Sequence, residues 1–173
     1  LAASAASLET ARPGPALDFA TQSAKLKPGF APGAVIAARL LVAEKKVPRA
    51  ASLLEAAWRE APHPALWLAY RDLTTAETPK ERAARLATLS AMNPGARESR
   101  IVAVEQALIA GARDAAADAA RALEDEPVTQ RLAGLFARLA SGAGDADGAR
   151  VWMARGAGAA QEPEWSDIDP SGR

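Results

Sequence analysis

The single histidine and the two methionines are the side chains of this sequence most able to do chemistry. His63 lies between Pro62 and Pro64, where it could act as a general base or as an axial ligand to haem iron. The same position suits a residue that caps a turn at the start of a helix, and we favour that interpretation. Met92 and Met153 could also ligate haem iron, but both lie on apolar helical stripes, where methionine usually fills gaps in the core. His63 therefore stays as a haem candidate, and the methionines are predicted to be core residues.

Other catalytic motifs find little support. The glycine-rich stretch from Gly142 to Gly148 has the wrong spacing for a dinucleotide-binding fingerprint, and it follows a predicted helix where that fingerprint follows a strand. The chain has no cysteine, which excludes disulfides, thiol nucleophiles and cysteine-bound metals. We find no recognisable pair of carboxylates and no nucleophile with a nearby base. The sequence predicts a protein that is not an enzyme and that has no metal and no dedicated cofactor.

Charge and hydropathy limit the possible partners. Lys and Arg number 21, as do Asp and Glu, so the net charge is zero and no general attraction to nucleic acid is expected. No apolar run reaches the roughly 18 residues that a membrane-spanning helix needs. The chain begins at Leu1 without Met, and we expect it to be a piece of a longer protein whose membrane segments, if any, lie upstream of Leu1.

The elements that position these residues are predicted to be helices. Apolar residues make up 49% of the chain and are mostly Ala and Leu, whereas aromatic residues are only 5%, which favours an all-α fold. A start signal is clear at Thr78, where Pro79 and Glu81 complete a capping box, and a stop signal is clear at Asn93-Pro94. Helical spacing predicts nine helices, at about residues 17–24, 35–42, 50–58, 65–75, 79–92, 97–110, 113–124, 128–141 and 145–157.

A repeat of about 33 residues organises these helices. Pro28, Pro62, Pro94 and Pro127 are spaced by 34, 32 and 33 residues, which is the tetratricopeptide period. In this period the small packing positions of the best repeat are Ala38, Ala50 and Ala57, and its large positions are Leu41 and Leu54. Three tryptophans, Trp58, Trp67 and Trp152, are predicted to pack between helices.

The predicted fold is an all-α, tetratricopeptide-like, right-handed α-solenoid of about eight to nine antiparallel helices in about four pairs. Residues 1–27 would be a partial repeat, residues 28–158 the repeat array, and residues 159–173 a carboxy-terminal tail, including Trp165. In such arrays the first helix of each pair lines a concave groove that can receive a helix or a peptide. The residues predicted to line this groove are Val35, Arg39, Val42, Leu66, Leu73, Ile101, Glu105, Leu108, Arg131 and Arg138.

Several blocks of the sequence resemble one family of repeat proteins. These blocks are Leu53-Leu54-Glu55-Ala56-Ala57-Trp58, Pro62-His63-Pro64, Asn93-Pro94 and Val151-Trp152-Met153-Ala154-Arg155. They look like the HemY-type tetratricopeptide proteins of proteobacteria, and the resemblance covers most of residues 28–173. It implies a bacterial inner-membrane protein linked to haem biosynthesis, with this domain on the cytoplasmic side. It also implies a scaffold whose protein partners include tetrapyrrole-pathway enzymes or, alternatively, a domain that handles haem or porphyrin in its groove.

Overall fold

The structure, a computed structural model, describes residues 1–162, and these residues are all-α. Residues 163–173, which include Trp165 and most of the predicted tail, lie outside the described residues. The helices are α1 Ala2–Leu8, α2 Pro13–Leu26, α3 Ala31–Ala43, α4 Val47–Glu60, α5 Pro64–Arg71, α6 Pro79–Ala91, α7 Arg97–Ile109, α8 Arg113–Ala120, α9 Gln130–Gly142 and α10 Ala146–Ala157, with a short 3-10 helix at Arg121–Leu123.

The nine predicted helices correspond to α2–α10, and two differences have physical causes. The first is α1, which lies in the segment that was predicted as a partial repeat. Its seven residues are Ala and Ser with one Leu, so they carry no apolar stripe, and Ala5 alone of this helix is buried. The second is α5, which ends at Arg71, although the pattern predicted helix to Thr75.

The four spaced prolines each lie in a connection between two helix pairs. Pro28 separates α2 from α3, Pro62 separates α4 from α5, Pro94 separates α6 from α7, and Pro127 precedes α9. Proline cannot extend a helix past its first turn, and it also keeps the preceding residue out of helical geometry. In chain order the sequence period therefore spans two helices: α3 and α4, α5 and α6, α7 and α8, and α9 and α10.

Three of these pairs are joined by the same three-residue turn. The middle residue has a left-handed backbone in each case, with φ of 61° at Lys45, 74° at Gly111 and 81° at Gly144. The next N–H donates to the carbonyl five residues earlier, at 2.8 Å from Lys46 to Leu41 and at 2.9 Å in the other two turns. This is the Schellman motif, which ends a helix and satisfies its last carbonyls. The three turns lie 66 and 33 residues apart, so this backbone conformation recurs at the same interval of about 33 residues as the prolines.

The chain divides into two compact units, residues 1–102 and the residues from Ala103 onward. In the first unit α3 is central, because it packs against α1, α2, α4 and α5. The predicted packing positions are confirmed: Ala38, Leu41, Ala50, Leu54 and Ala57 are all buried. Trp58 and Trp67 are buried as well, as predicted.

Helix α3 packs tightly against α2 at Gly33. A Cβ atom built on Gly33 would lie 2.7 Å from the Ser23 side-chain oxygen and 2.9 Å from its Cβ. Only a residue without a side chain fits there, so glycine sets the distance between these two helices.

In the second unit, α9 packs against α8 and α10. Leu132, Ala133, Leu135 and Ala137 of α9 are buried. Phe136 and Trp152 stack at 4.5 Å between ring centroids, which confirms that Trp152 packs between helices. The prediction that Met153 is a core residue is wrong, because its side chain is 67% exposed. Met153 lies one position beyond Trp152, and a step of one residue turns a side chain by about 100° around a helix.

Candidate partner-binding groove

A cleft of about 420 Å³ runs between α3 and α5 in the first unit. Helix α3 contributes Val35, Ala38, Arg39 and Val42, and α5 with the residues after it contributes Ala65, Leu68, Ala69, Asp72 and Leu73. The spacing within each helix is i, i+3 or i+4, and i+7, so each presents one face to the cleft. Four of the ten predicted groove residues, Val35, Arg39, Val42 and Leu73, are thus brought together.

Most of the side chains that line the cleft are apolar, and several of them are alanines. Ala38, Ala65 and Ala69 leave room between the two helices, whereas Leu68 is 38% exposed and stands at the edge. An exposed leucine beside alanines offers apolar area that is still in contact with water. Burying such area against a partner is favourable by about 25 cal/mol per Å².

The charged residues of the cleft already have partners. Arg39 donates to Glu9 through Nε at 2.9 Å and through Nη2 at 2.8 Å. Asp72 accepts from Arg71 at 2.7 and 2.9 Å, and these hydrogen bonds are the main reason that the pKa of Asp72 is lowered. Arg39 is 58% exposed, so its ion pair is weak and can be exchanged for a partner's carboxylate.

A partly buried polar network holds the end of α5 in place. Arg85 of α6 donates to the carbonyl oxygens of Tyr70 and Arg71, the latter at 3.0 Å, and its guanidinium lies 4.9 Å above the Tyr70 ring. Arg85 also donates to Glu77 at 2.6 and 2.7 Å, which holds the pKa of Glu77 below its usual value. Tyr70 donates to Glu55 at 2.8 Å, and burial is the largest cause of its raised pKa. Arg85 thus satisfies carbonyls at the end of α5, which ends at Arg71 without a left-handed turn residue.

His63 is the N-cap residue of α5. Its Nδ1 accepts from the Ala65 N–H at 3.2 Å, and its side chain is half-buried. This is the capping position that we favoured from the sequence. His63 is not among the residues that line the α3–α5 cleft.

Two predicted groove residues lie in the core. Leu66 is fully buried and Ile101 is 2% exposed. On α5 the side chains that face the cleft are Ala65, Leu68 and Ala69, so Leu66 is turned into the packed side of the helix. Met92, predicted as core, is half-buried at the end of α6.

The remaining predicted residues belong to the second unit. Arg138 is exposed and forms an ion pair with Glu105, whose side chain is 13% exposed, while Leu108 and Arg131 are half-buried. The sequence alone could have refined the prediction, because Arg39, Asp72, Glu105 and Arg138 follow one another at a constant interval of 33 residues. The residue 33 positions after the groove residue Val35 is Leu68, so the same interval predicts Leu68 at the groove and not Leu66. Each repeat therefore places a charge at this one position.

Within residues 1–162 no group of three His, Cys, Asp or Glu residues is placed to hold a metal ion. In the same residues no helix has both the length and the apolar character needed to cross a membrane. Comparison of the chain with protein-family models, with curated proteins and with solved structures finds no match.

Proposed function

We propose that this chain is a non-catalytic scaffold of tetratricopeptide type, and that its α3–α5 groove binds a segment of a partner protein. The observation that carries the proposal is the cleft itself. It is lined mainly by apolar side chains, including the exposed Leu68, and by Arg39, whose exposed ion pair with Glu9 can be exchanged for one with a partner. The repeat type is supported by the proline period and by the three equal turns. An amphipathic helix or extended peptide would place apolar side chains over the alanine floor.

The biological setting of the proposal comes from the sequence resemblance. As a HemY-type protein, the chain would be the part of an inner-membrane protein that holds enzymes of tetrapyrrole synthesis on the cytoplasmic side. The test is site-specific photocrosslinking in bacterial cells that express the full-length protein, with benzoylphenylalanine in place of Leu68. A matched control carries the same probe in place of Ala84, an exposed residue of α6.

We expect the Leu68 probe to capture a tetrapyrrole-pathway enzyme and the Ala84 probe not to do so. Adding Arg39→Glu, which sets two carboxylates against each other at Glu9, should weaken the capture. Equal capture from both positions, or capture only of unrelated proteins, would refute the proposal.

The alternative of haem or porphyrin binding has less support. His63 is outside the lining of the cleft, and its Nδ1 is occupied by the capping hydrogen bond. Titration with haem separates the two functions: a shift of the Soret band that His63→Ala abolishes would favour the porphyrin function. A spectrum that is equally unchanged by wild type and variant would leave the scaffold as the better proposal.

A further inference from the structure

A second cleft lies on a different pair of helices in the first unit. It has a volume of about 400 Å³ and runs between α2 and α4. The lining residues are Thr21, Ala24, Lys25, Pro28, Arg49, Ser52, Leu53, Ala56 and Ala57. None of them lines the α3–α5 groove, so any ligand of this second cleft is additional to the proposed partner.

The chemistry of the second cleft is apolar with positive charge. Its middle is formed by alanines, Pro28 and Leu53, while the charged residues of its lining are Lys25 and Arg49 and include no carboxylate. Both cations are exposed, and neither side chain has a hydrogen bond or an ion pair within residues 1–162. Arg39, Arg59 and Arg71 of the same unit are all paired. The cleft therefore holds two positive charges that have no ion-pair partner among the described residues.

The surrounding unit strengthens this positive potential. Residues 1–102 contain fourteen Lys and Arg against nine Asp and Glu, a net charge of +5. The residues from Ala103 onward contain seven against twelve, a net charge of −5. The two net charges cancel, so the zero net charge of the whole chain does not reveal that one unit is basic and the other acidic. An anionic ligand is attracted to the first unit as a whole and meets unpaired cations in this cleft.

The distance between the two cations along the cleft follows from the helix geometry. Helices α2 and α4 run in the same direction, because each packs against α3 and is joined to it by a short turn. Their ends lie together, since a Cβ on Gly29, just after α2, would lie 3.0 Å from the Cβ of Ala61, just after α4. Arg49 lies twelve residues before Ala61, and Lys25 lies four residues before Gly29. At about 1.5 Å per helical residue, the backbone positions of Lys25 and Arg49 are offset by about 12–15 Å along the axis.

We propose that the α2–α4 cleft binds an acidic amphipathic helix of a partner protein, with carboxylates about two turns apart and apolar side chains between them. Carboxylates at positions i and i+7 or i+8 span about 10.5–12 Å of helix axis, a span that the long side chains of Lys25 and Arg49 can reach from their backbone offset. The side chains between them, at i+3 and i+4, would lie over Leu53, Ala56 and Ala57. The apolar lining favours such a helix over a nucleic-acid backbone, which would leave these residues without an apolar partner.

The test uses a fluorescent synthetic helix with Glu at every seventh position, Leu three and four positions after each Glu, and Ala and Gln elsewhere. Its control peptide carries Gln in place of Glu. Binding to the whole chain is followed by fluorescence anisotropy. We expect the Glu peptide to bind at least about tenfold more tightly than the Gln peptide, and added salt to reduce this difference.

Two variants and one control variant locate the site. Lys25→Glu with Arg49→Glu should weaken binding at least about tenfold. Arg12→Glu with Lys80→Glu makes the same charge change in the same unit, at exposed residues outside the cleft, and should weaken binding less than about twofold. Ala56→Phe, at an exposed position of α4, should block the cleft without altering charge.

Two results would show that the α2–α4 cleft is not the binding site. Equal weakening by the two charge-reversed variants would overturn the proposal, because it would show a general attraction to the basic unit. Binding of vesicles of phosphatidylcholine with one third phosphatidylglycerol, without binding of the Glu peptide, would overturn it in favour of a lipid surface. Because Leu68 lies in the other groove, Leu68→Glu should leave peptide binding unchanged, so this proposal and the scaffold function can fail independently.

Discussion

Lys45 is a site where one substitution should stabilise the protein. It occupies the left-handed position of the α3–α4 turn, with φ of 61°, where the two equivalent turns have glycine. A residue with a Cβ atom in this conformation costs about 1–2 kcal/mol relative to its preferred backbone. Lys45→Gly removes that cost, and the added flexibility of the unfolded chain returns about 0.5–1 kcal/mol of it. We therefore expect a net stabilisation of about 1 kcal/mol.

Thermal unfolding followed by circular dichroism measures this change. For a chain of this size, about 1 kcal/mol corresponds to a rise in Tm of about 2–4 °C. Lys46→Gly is the matched control, because Lys46 is the next residue and its φ of −97° needs no glycine. The control should lower the Tm or leave it unchanged.

The reciprocal substitutions test the same reasoning from the other side. Gly111→Lys and Gly144→Lys place a side chain in the left-handed position and should each destabilise the protein by about 1 kcal/mol. If Lys45→Gly lowers the Tm, or if Lys46→Gly raises it equally, the three turns are not equivalent and the reasoning fails.

Three further substitutions have expected outcomes. Gly33→Ala should destabilise the protein by about 1–3 kcal/mol in urea unfolding, because its Cβ would meet Ser23, and adding Ser23→Gly should restore part of the loss; no rescue would contradict this cause. Thr78→Ala removes the capping box at the start of α6 and should cost about 1 kcal/mol in the same assay, whereas Thr78→Ser should cost clearly less. The pKa of Glu77 is lower in the folded protein than its usual value of 4.5, so the ionised carboxylate stabilises the fold. This stabilisation is fully present above pH 4.5 and is lost as the pH falls through the lower pKa of the folded state. Glu77→Gln should therefore lower stability at pH 7 and flatten its acid dependence, and an unchanged dependence would show that the ion pair with Arg85 is not responsible.

Local signals predicted most of the helices, because they act over a few residues. The capping box at Thr78 is present, with Glu81 Oε2 accepting from the Thr78 N–H at 2.8 Å, and the helix stops before Asn93-Pro94 as expected. These signals depend on short-range hydrogen bonding and on proline sterics, which a sequence displays directly. Helix α1 was missed because Ala and Ser residues give no periodic apolar pattern.

The residues that face the cleft depended on longer-range contacts. Leu66 was predicted at the groove because repeat numbering assigned it to the groove face of the first helix of its pair, but the direction of a side chain is set by what the helix packs against. The end of α5 depended on Arg85, which lies fourteen residues beyond Arg71 in the sequence and cannot be recognised as its cap without the fold. The cleft between α2 and α4 was not predicted, because the repeat pattern assigns only the first helix of each pair to a groove.

The opposite charges of the two parts of the chain also bear on handling the protein. The isoelectric point of about 6.8 reflects the sum of a basic part and an acidic part of the chain. At neutral pH each molecule therefore carries a net positive charge on one part and a net negative charge on the other. Copies of such a chain attract one another at low ionic strength, and at 0.1 M salt the screening length falls to about 10 Å. Dilute buffers near neutral pH should therefore favour precipitation, and moderate sodium chloride should dissolve the protein again.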